Sequence, residues 1–272
     1  MTETELKFQI PPAMRPLVHR AVATGRARVT PLQAVYVDTA DRRLAAAGLA
    51  LRLRREGPRW VQTLKGRGDG LMVRMEHEVP LPARGSLPPV LDAARHAGTA
   101  VGDRLLGLLA DGTPLLAVYT TQIRRTHRVL RVGAARVELA HDRGLIAAAG
   151  RTLPVEELEF ELKAGPPAAL AQVAAQWVQR FGLWWDVRTK SERGHRLAAG
   201  QAGRPAVLDE QALLQALANG AELAEGLGDG AHVAAWQAAL AQLGMPLQAG
   251  ADAGAMARSR ACNLALLAAA FS

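Results

Sequence analysis

The sequence predicts an α+β fold: a β-sheet curled into a barrel around a charged interior, with helices packed outside it and a small α-helical appendage at the C-terminal end. Three observations predict it. Short strand-like runs separated by turn residues fill the first two-thirds of the 272-residue chain. Several of these runs alternate apolar residues with charged ones rather than with neutral polar ones. From about Ala198 the pattern becomes Ala/Leu-rich and helical.

The first run, Glu3–Ile10, places Glu3, Glu5 and Lys7 on one face and Leu6 and Phe8 on the other, because alternate side chains of a strand share a face. Two carboxylates and an ammonium make a poor core face and a good site for a cation and a phosphate. Taken alone, the same run also fits an exposed edge strand with gatekeeping charges. A helix is expected over Pro12–Thr24, then strands over Leu32–Asp38, Leu49–Glu56, Arg59–Lys65 and Met72–Pro80. Glu56-Gly57-Pro58 joins two of these as a hairpin would, and Gly66-Arg67-Gly68-Asp69-Gly70 joins the next two. A second helix is expected over Leu91–Ala110, followed by strands over Leu115–Thr121, Ile123–Arg131, Arg136–Asp142 and Leu153–Lys163. In the helix over Ala168–Phe181, Leu170, Val173, Ala174, Trp177, Val178 and Phe181 recur at helical spacing, with Trp177 as a core anchor. Gly200–Pro205 reads as a linker. Helical runs then fall near Asp209–Leu217, His232–Leu243 and Ala255–Phe271, broken at Gly226–Gly230 and Pro246–Gly254. The expected units are residues 1–200 and a helical tail, 201–272.

The charged faces are the unusual feature. Arg52 and Arg54 oppose Leu49, Leu51 and Leu53; Arg74, Glu76 and Glu78 oppose Val73, Met75 and His77; Glu157, Glu159 and Glu161 oppose Leu158, Phe160 and Leu162. A solvated sheet face explains any one of these. Recurrence in so many strands favours a barrel whose apolar faces turn outward under the helices and whose charges line a wet channel. Charges of both signs inside are costly unless paired, hydrated or holding ions, so such a lumen reads as a ligand site.

Composition narrows the partner. The net charge of +8 favours an anion, but aromatic residues are only 4% and no compact basic block carries interleaved aromatics, so DNA is not expected. The single cysteine, Cys262, excludes an intrachain disulfide and a cysteine metal cage, and its Ala/Leu surroundings mark it as a core residue. No signal-peptide pattern and no apolar run of about 18 residues is visible, so the expectation is a cytoplasmic protein without a membrane span.

The motifs, taken in order, resemble the CYTH or triphosphate tunnel metalloenzyme superfamily, especially its bacterial inorganic triphosphatases. They are Glu3-Glu5-Lys7 as ExExK; Tyr36-Val37-Asp38-Thr39 with Leu44, Gly48 and Leu51-Arg52-Leu53-Arg54; Thr63-Leu64-Lys65 with Arg74-Met75-Glu76; Val137-Glu138-Leu139-Ala140-His141-Asp142-Arg143-Gly144; and Glu157–Lys163 with Lys190-Ser191-Glu192-Arg193-Gly194. The resemblance covers about residues 1 to 200, and ordered motifs at suitable spacing are far more specific than one alone. It implies an eight-stranded antiparallel tunnel that binds triphosphate with Mg²⁺ or Mn²⁺. By that resemblance, Glu3, Glu5, Glu159 and Glu161 are metal ligands. Lys7, Arg52, Arg54, Lys65, Arg74, Arg125 and Lys190 are phosphate ligands. Glu76, Glu138 and Glu78 form an opposite acidic set for a second metal or the attacking water, with Glu76, Glu138 and Lys65 catalytic. Gln122 stands where the family pattern often has Arg, and whether Arg124 or Arg125 faces the tunnel stays open. His127, His141 and His195 read as bystanders; Tyr36, Asp38 and Thr39, at a strand end before a turn, read as structural.

The implied activity is hydrolysis of inorganic triphosphate to pyrophosphate and phosphate. Class IV adenylate cyclase, thiamine triphosphatase and nucleoside or RNA triphosphatase chemistry share the tunnel, and a non-catalytic polyphosphate- or nucleotide-binding module is the remaining alternative. Residues 207–272 faintly resemble the start of a CHAD domain, a helical polyphosphate-binding module. Ala235–Gln242 lacks the expected run of His and Arg, so the tail is expected to pack rather than bind.

Overall fold

A computed structural model describes residues 2–67, 73–82, 88–245 and 250–271. Nine strands form one antiparallel sheet: β1 (Thr2–Gln9), β2 (Arg28–Asp38), β3 (Leu49–Glu56), β4 (Arg59–Arg67), β5 (Val73–Leu81), β6 (Leu116–Val132), β7 (Ala135–Ala148), β8 (Arg151–Ala164) and β9 (Trp184–Trp185). Their order is β5-β4-β3-β2-β6-β7-β8-β1-β9, and β1 also pairs with β5 at Thr2↔Met75, Glu3↔Arg74 and Thr4↔Val73. The run from β5 to β1 thus returns on itself along a short seam, and the rest of that edge of β1 takes β9 at Phe8↔Trp185 and Gln9↔Trp184. The ninth strand departs from the expected eight. It is a two-residue piece of chain that covers the edge of β1 left open beyond the seam.

Most expected strands are present. The runs expected at Leu115–Thr121 and Ile123–Arg131 are one continuous strand, β6, because Gln122 keeps its place in the ladder opposite Gln33 and Leu145. The expected connection after Gly66 and residue Met72 fall partly on residues 68–72, outside those described. The helix expected over Pro12–Thr24 is a 3₁₀ turn, Pro12–Met14, followed by α1 (Arg15–Val22). The one expected over Leu91–Ala110 is a 3₁₀ turn, Ala93–His96, and α3 (Ala100–Leu108), because Gly98 takes φ +75° between them. Between them in sequence lies a short helix, α2 (Arg43–Ala46). Asp38 creates its start: the buried carboxylate accepts from the Thr39 N–H at 2.8 Å, Leu44 N–H at 2.9 Å and Ala45 N–H at 3.0 Å. α4 (Pro167–Phe181) matches its expectation, with Trp177 packed against Phe160 and Phe181. The tail forms α6 (Ala212–Ala224), α7 (Gly230–Gln242), α8 (Ala253–Ala257) and α9 (Arg260–Ala270), preceded by α5 (Lys190–Ala199).

The helices show which sheet face is outside. Leu6, Phe8, Leu158 and Phe160 share a core with Leu170, Val173 and Val178 of α4, and Val137 and Leu139 join Val18 and Val22 of α1. Leu49, Leu51 and Leu64 pack on Val101 and Leu105 of α3. The alternating charged residues therefore point inward. Leu217, Trp236 and Leu266 of the tail belong to the same core as Phe8, Phe181 and Trp185. Among the described residues, no helix is long and apolar enough to cross a membrane.

The interior is not charged throughout. One end is filled by Leu32, Ala34, Tyr36, Tyr119, Ile123, Ile146 and Val155, packed with Leu197 and Ala198 of α5. This helix plugs the barrel, and Gly194 makes it fit. A β-carbon there would lie 2.4 Å from the Tyr119 ring, which itself stacks on Tyr36 with ring centroids 4.4 Å apart. Gly194→Ala should therefore cost about 1–3 kcal/mol of stability by overpacking. The measurement is a shift of the denaturant midpoint at constant m-value; an unchanged midpoint would place α5 elsewhere.

Candidate active site

Register alone brings the charges together. Along β7, β8 and β1, Glu138 lies opposite Glu161, and Glu161 opposite Glu5, so three carboxylates form one cross-strand row. Like charges directly opposed are destabilising on a sheet. The row marks a place that calls for positive charge. The Glu161 carboxyl responds by holding its proton: burial, together with nearby Glu3 and Glu138 and against its bond to Lys163, pushes it up to about 7. The neighbouring row behaves differently. Asp142 faces Glu157, with Glu159 two residues along, and their carboxylate oxygens come within 4.8 Å of one another. A cation could bridge that spacing, but here the side chains already do so. The Lys190 ammonium lies 2.8 Å from Asp142 and 2.7 Å from Glu159 and also touches Glu157, while Arg125 grips Asp142 with two bonds of 2.7 and 2.8 Å and contacts Glu159.

The titration directions follow. Burial would lower the Lys190 pKa, but Asp142, Glu157 and Glu159 outweigh it and raise it. Burial would raise Glu159, yet Lys190 and Arg125 hold it well below the usual carboxylate range. The Asp142 carboxylate is likewise lowered by Arg125 and Lys190 against the effect of burial. Lys190 reaches this point because α5 begins there: Thr189 caps the helix by accepting from the Glu192 N–H at 2.9 Å, which turns the positive end of the helix toward the tunnel.

The opposite wall carries the other basic groups. Lys65 donates to Glu3 at 2.8 Å across the seam and lies 3.2 Å from Glu76. Arg52 donates to the Tyr36 hydroxyl at 3.0 Å and lies 4.0 Å from Glu76. Arg54 bonds Glu78 at 3.0 Å and contacts Glu56. Burial would raise the Tyr36 phenol, but Arg52, Lys190 and Arg54 lower it instead. Lys7 sits deepest, its ammonium donating to the Arg188 carbonyl and lying 3.8 Å from Asp186 and 3.9 Å from Glu157.

The sequence-predicted residues thus divide. Glu5, Glu138 and Glu161 share the carboxylate row; Glu3 joins it at the seam; Glu159 lies instead in the cation-paired row with Lys190 and Arg125. Arg125, not Arg124, faces the tunnel, as its bond to the inward Asp142 shows. The Arg74 side chain lies outside the described residues. His127 is not on the outer surface: it lies 3.7 Å from Glu138, whose carboxyl it lowers against the effect of burial. His141 and His195 stay out of the charge clusters, His141 bonding Glu156 at 2.8 Å and His195 packing on Tyr119. Sequence reasoning missed Asp142, Glu157 and Arg193 as parts of the site. Glu157 and Asp142 were visible as members of the same alternating faces as Glu159 and Glu138. The Arg193 contact to Glu157 needed the course of α5.

Residues 1–183 match the CYTH domain family. The chain belongs to that family. This CYTH protein is 27% identical over 173 residues to an inorganic triphosphatase of Haemophilus influenzae, a match covering 61% of this chain and 46% of the relative. The match therefore takes in about half the length of that relative. Among solved structures, a Hippeastrum adenylyl cyclase candidate described as having a dominant triphosphatase activity overlaps 74% of this chain and 97% of its own, at 18% identity and a TM-score of 0.46. A Pyrococcus horikoshii protein overlaps 70% and 97%, at 18% identity and 0.45.

The carboxylate row of the CYTH domain makes its stability depend on pH. Glu161 binds its proton more tightly folded than unfolded, since its pKa rises from 4.5 to about 7. Between those values the unfolded chain holds fewer protons, so stability falls as pH rises. Without divalent cation, Tm is expected to drop by about 2–4 °C from Glu161 between pH 4.5 and 7. Thermal melts of wild type and Glu161→Gln test this, and parallel pH profiles would refute it.

Proposed function

We propose that this protein hydrolyses inorganic triphosphate to pyrophosphate and phosphate with the aid of Mg²⁺ or Mn²⁺. One observation carries the reading: Lys7, Arg52, Arg54, Lys65, Arg125 and Lys190 converge on the same enclosure as the opposed row Glu138, Glu161 and Glu5. A pure anion site gains nothing from such a row, and a pure cation site gains nothing from six basic groups. A short polyanion bound with a divalent metal uses both. The sequence relationship to the Haemophilus enzyme supports the same reading.

In this proposal the oxygen-only donor set Glu3, Glu5 and Glu161, with Glu159 once Lys190 turns to phosphate, would hold the metal. Bound there, the metal would polarise phosphoryl oxygens and neutralise developing charge. The arginines and lysines orient the triphosphate and spread its charge, which is most of what phosphoryl transfer requires. Glu138, held anionic by His127, accepts a hydrogen bond from the attacking water and directs it at the terminal phosphorus. Lys65, gripped by Glu3 and Glu76, sits where it can follow charge onto the leaving oxygen. Residues 1–200 are the catalytic unit, and 201–272 pack against it.

Phosphate release from triphosphate, ATP, thiamine triphosphate and RNA 5′-triphosphate, each with Mg²⁺, Mn²⁺ or EDTA, is the test. Triphosphate should lead and EDTA should abolish turnover; cyclic AMP from ATP, or tight binding without turnover in either metal, would overturn the proposal. Glu5→Gln should lower kcat about 100-fold with triphosphate binding by calorimetry largely kept. Lys65→Ala should raise KM about tenfold.

A further inference from the structure

A set of buried charges runs from the tunnel to the tail, and the reaction above does not use it. Asp186 is fully buried and both of its oxygens are engaged. One accepts from the Arg188 N–H at 2.8 Å and Arg188 Nε at 2.9 Å; the other accepts from Arg188 Nη2 at 2.9 Å and Gln9 Nε2 at 2.7 Å. The Asp186 N–H donates to the Lys7 carbonyl at 2.9 Å, and the Lys7 ammonium donates to the Arg188 carbonyl. Main chain and side chains of 186–188 are thus laced to β1 at residues 7 and 9.

The far side of Arg188 faces α6. Its Nη1 lies 3.7 Å from Glu222, and its Nη2 lies 3.6 Å from Glu225. Glu222 is 1% exposed and also stands 3.6 Å from Arg204 and 3.9 Å from Arg196. It is the shared counter-charge of three guanidiniums, at distances too long for direct hydrogen bonds. Neutralising it would leave Arg196 and Arg204 with Glu192, and Arg188 with Glu225 and the tighter bonds to Asp186, so Arg188 would be drawn toward Asp186. The Arg188 carbonyl holds the Lys7 ammonium and its N–H is bonded to Asp186, so a shift of the Arg188 main chain is passed to Lys7. Asp186, Arg188 and Glu222 all lie beyond the residues that match the family.

We infer that Glu222 is a positioning residue for Lys7, acting through Arg188 and Asp186, so that the helical tail sets the place of one phosphate-binding ammonium in the tunnel. The inference rests on the reading of Lys7 as a phosphate ligand. A purely architectural tail would affect folding stability alone. A relay also affects substrate affinity, and makes the contributions of its members interdependent.

The experiment uses the full-length chain with Glu222→Gln, Asp186→Asn and the double variant, assayed on triphosphate with Mg²⁺ alongside thermal melts. Glu222→Gln is expected to raise KM about tenfold with kcat within about twofold, and to add little to the KM of Asp186→Asn. A lowered Tm with unchanged KM, or additive effects on KM, would overturn the relay. Should Glu222→Gln not fold, Glu225→Gln at the exposed rim reads the same path: a KM rise of about threefold is expected, and no change overturns it. Were wild type itself inactive, the proposed reaction would fail separately. Backbone hydrogen exchange would then decide the relay: it predicts faster exchange at the Asp186 amide in Glu222→Gln, and unchanged exchange refutes it.

Discussion

Inside the tunnel, the basic side chains named above are held by carboxylates of the same enclosure. Lys190 is held by Asp142, Glu157 and Glu159; Arg125 by Asp142 and Glu159; Lys65 by Glu3 and Glu76; Arg54 by Glu78. Charges taken out of water must be neutralised nearby, and the fold does so by turning acidic and basic faces of different strands, and the start of α5, toward one interior. In the proposed reaction, binding a triphosphate here is therefore an exchange. Each phosphate oxygen that gains a guanidinium or ammonium releases a carboxylate. The released carboxylates then need a cation, which links anion and metal affinity without any direct contact between the two. A lumen with basic groups alone would bind phosphate without this dependence, but it would carry an unshielded charge in the free protein.

The exchange is possible because the two ends of the interior differ. At the α5 end, Tyr119, Ile123, Ile146 and Val155 fill the barrel as ordinary core. Above them the charges begin, with Lys190 in the first turn of α5 at the boundary. One helix thus closes the tunnel with its apolar end and supplies a cation with its start. The plug also excludes water from below, which strengthens every electrostatic contact above it. Gly194 belongs to this arrangement as much as Lys190 does. The close approach of the helix to Tyr119 accompanies the placing of the Lys190 ammonium 2.8 Å from Asp142.

Much of this was legible because strand periodicity is a local property. The inward faces of β1, β3 and β8 could be read directly from Glu3-Glu5-Lys7, Arg52-Arg54 and Glu157-Glu159-Glu161, and the apolar faces did turn toward helices. Pairing between distant strands is not local. Nothing near Glu161 in sequence says that Glu5 and Glu138 flank it on both sides, or that it is buried beside Glu3 and Glu138, which raises its pKa. The Lys190–Arg193 stretch was recognised as a motif but not as a helix, because its apolar residues are few and its fit depends on a barrel interior. Asp186 and Arg188 gave no signal. They bond the Gln9 and Lys7 side chains of β1, partners 177 and 181 positions away.

Two carboxylate rows lie side by side, and they differ in what a cation of the proposed reaction would displace. Asp142, Glu157 and Glu159 have the tighter oxygen spacing, yet Lys190 and Arg125 already sit among them, and the depressed pKa of Glu159 records how well they are satisfied. A divalent ion entering there would have to expel an ammonium and a guanidinium with nothing to receive them. The Glu138, Glu161 and Glu5 row is compensated differently, by Lys163 beside Glu161, His127 beside Glu138 and the raised pKa of Glu161. In the proposed reaction an ion arriving there would displace the Glu161 proton and its contact with Lys163, a partly exposed side chain. Triphosphate can then draw Lys190 and Arg125 away from the second row, freeing Glu159 to turn toward the ion. For the proposed reaction, that difference between the rows favours metal before triphosphate.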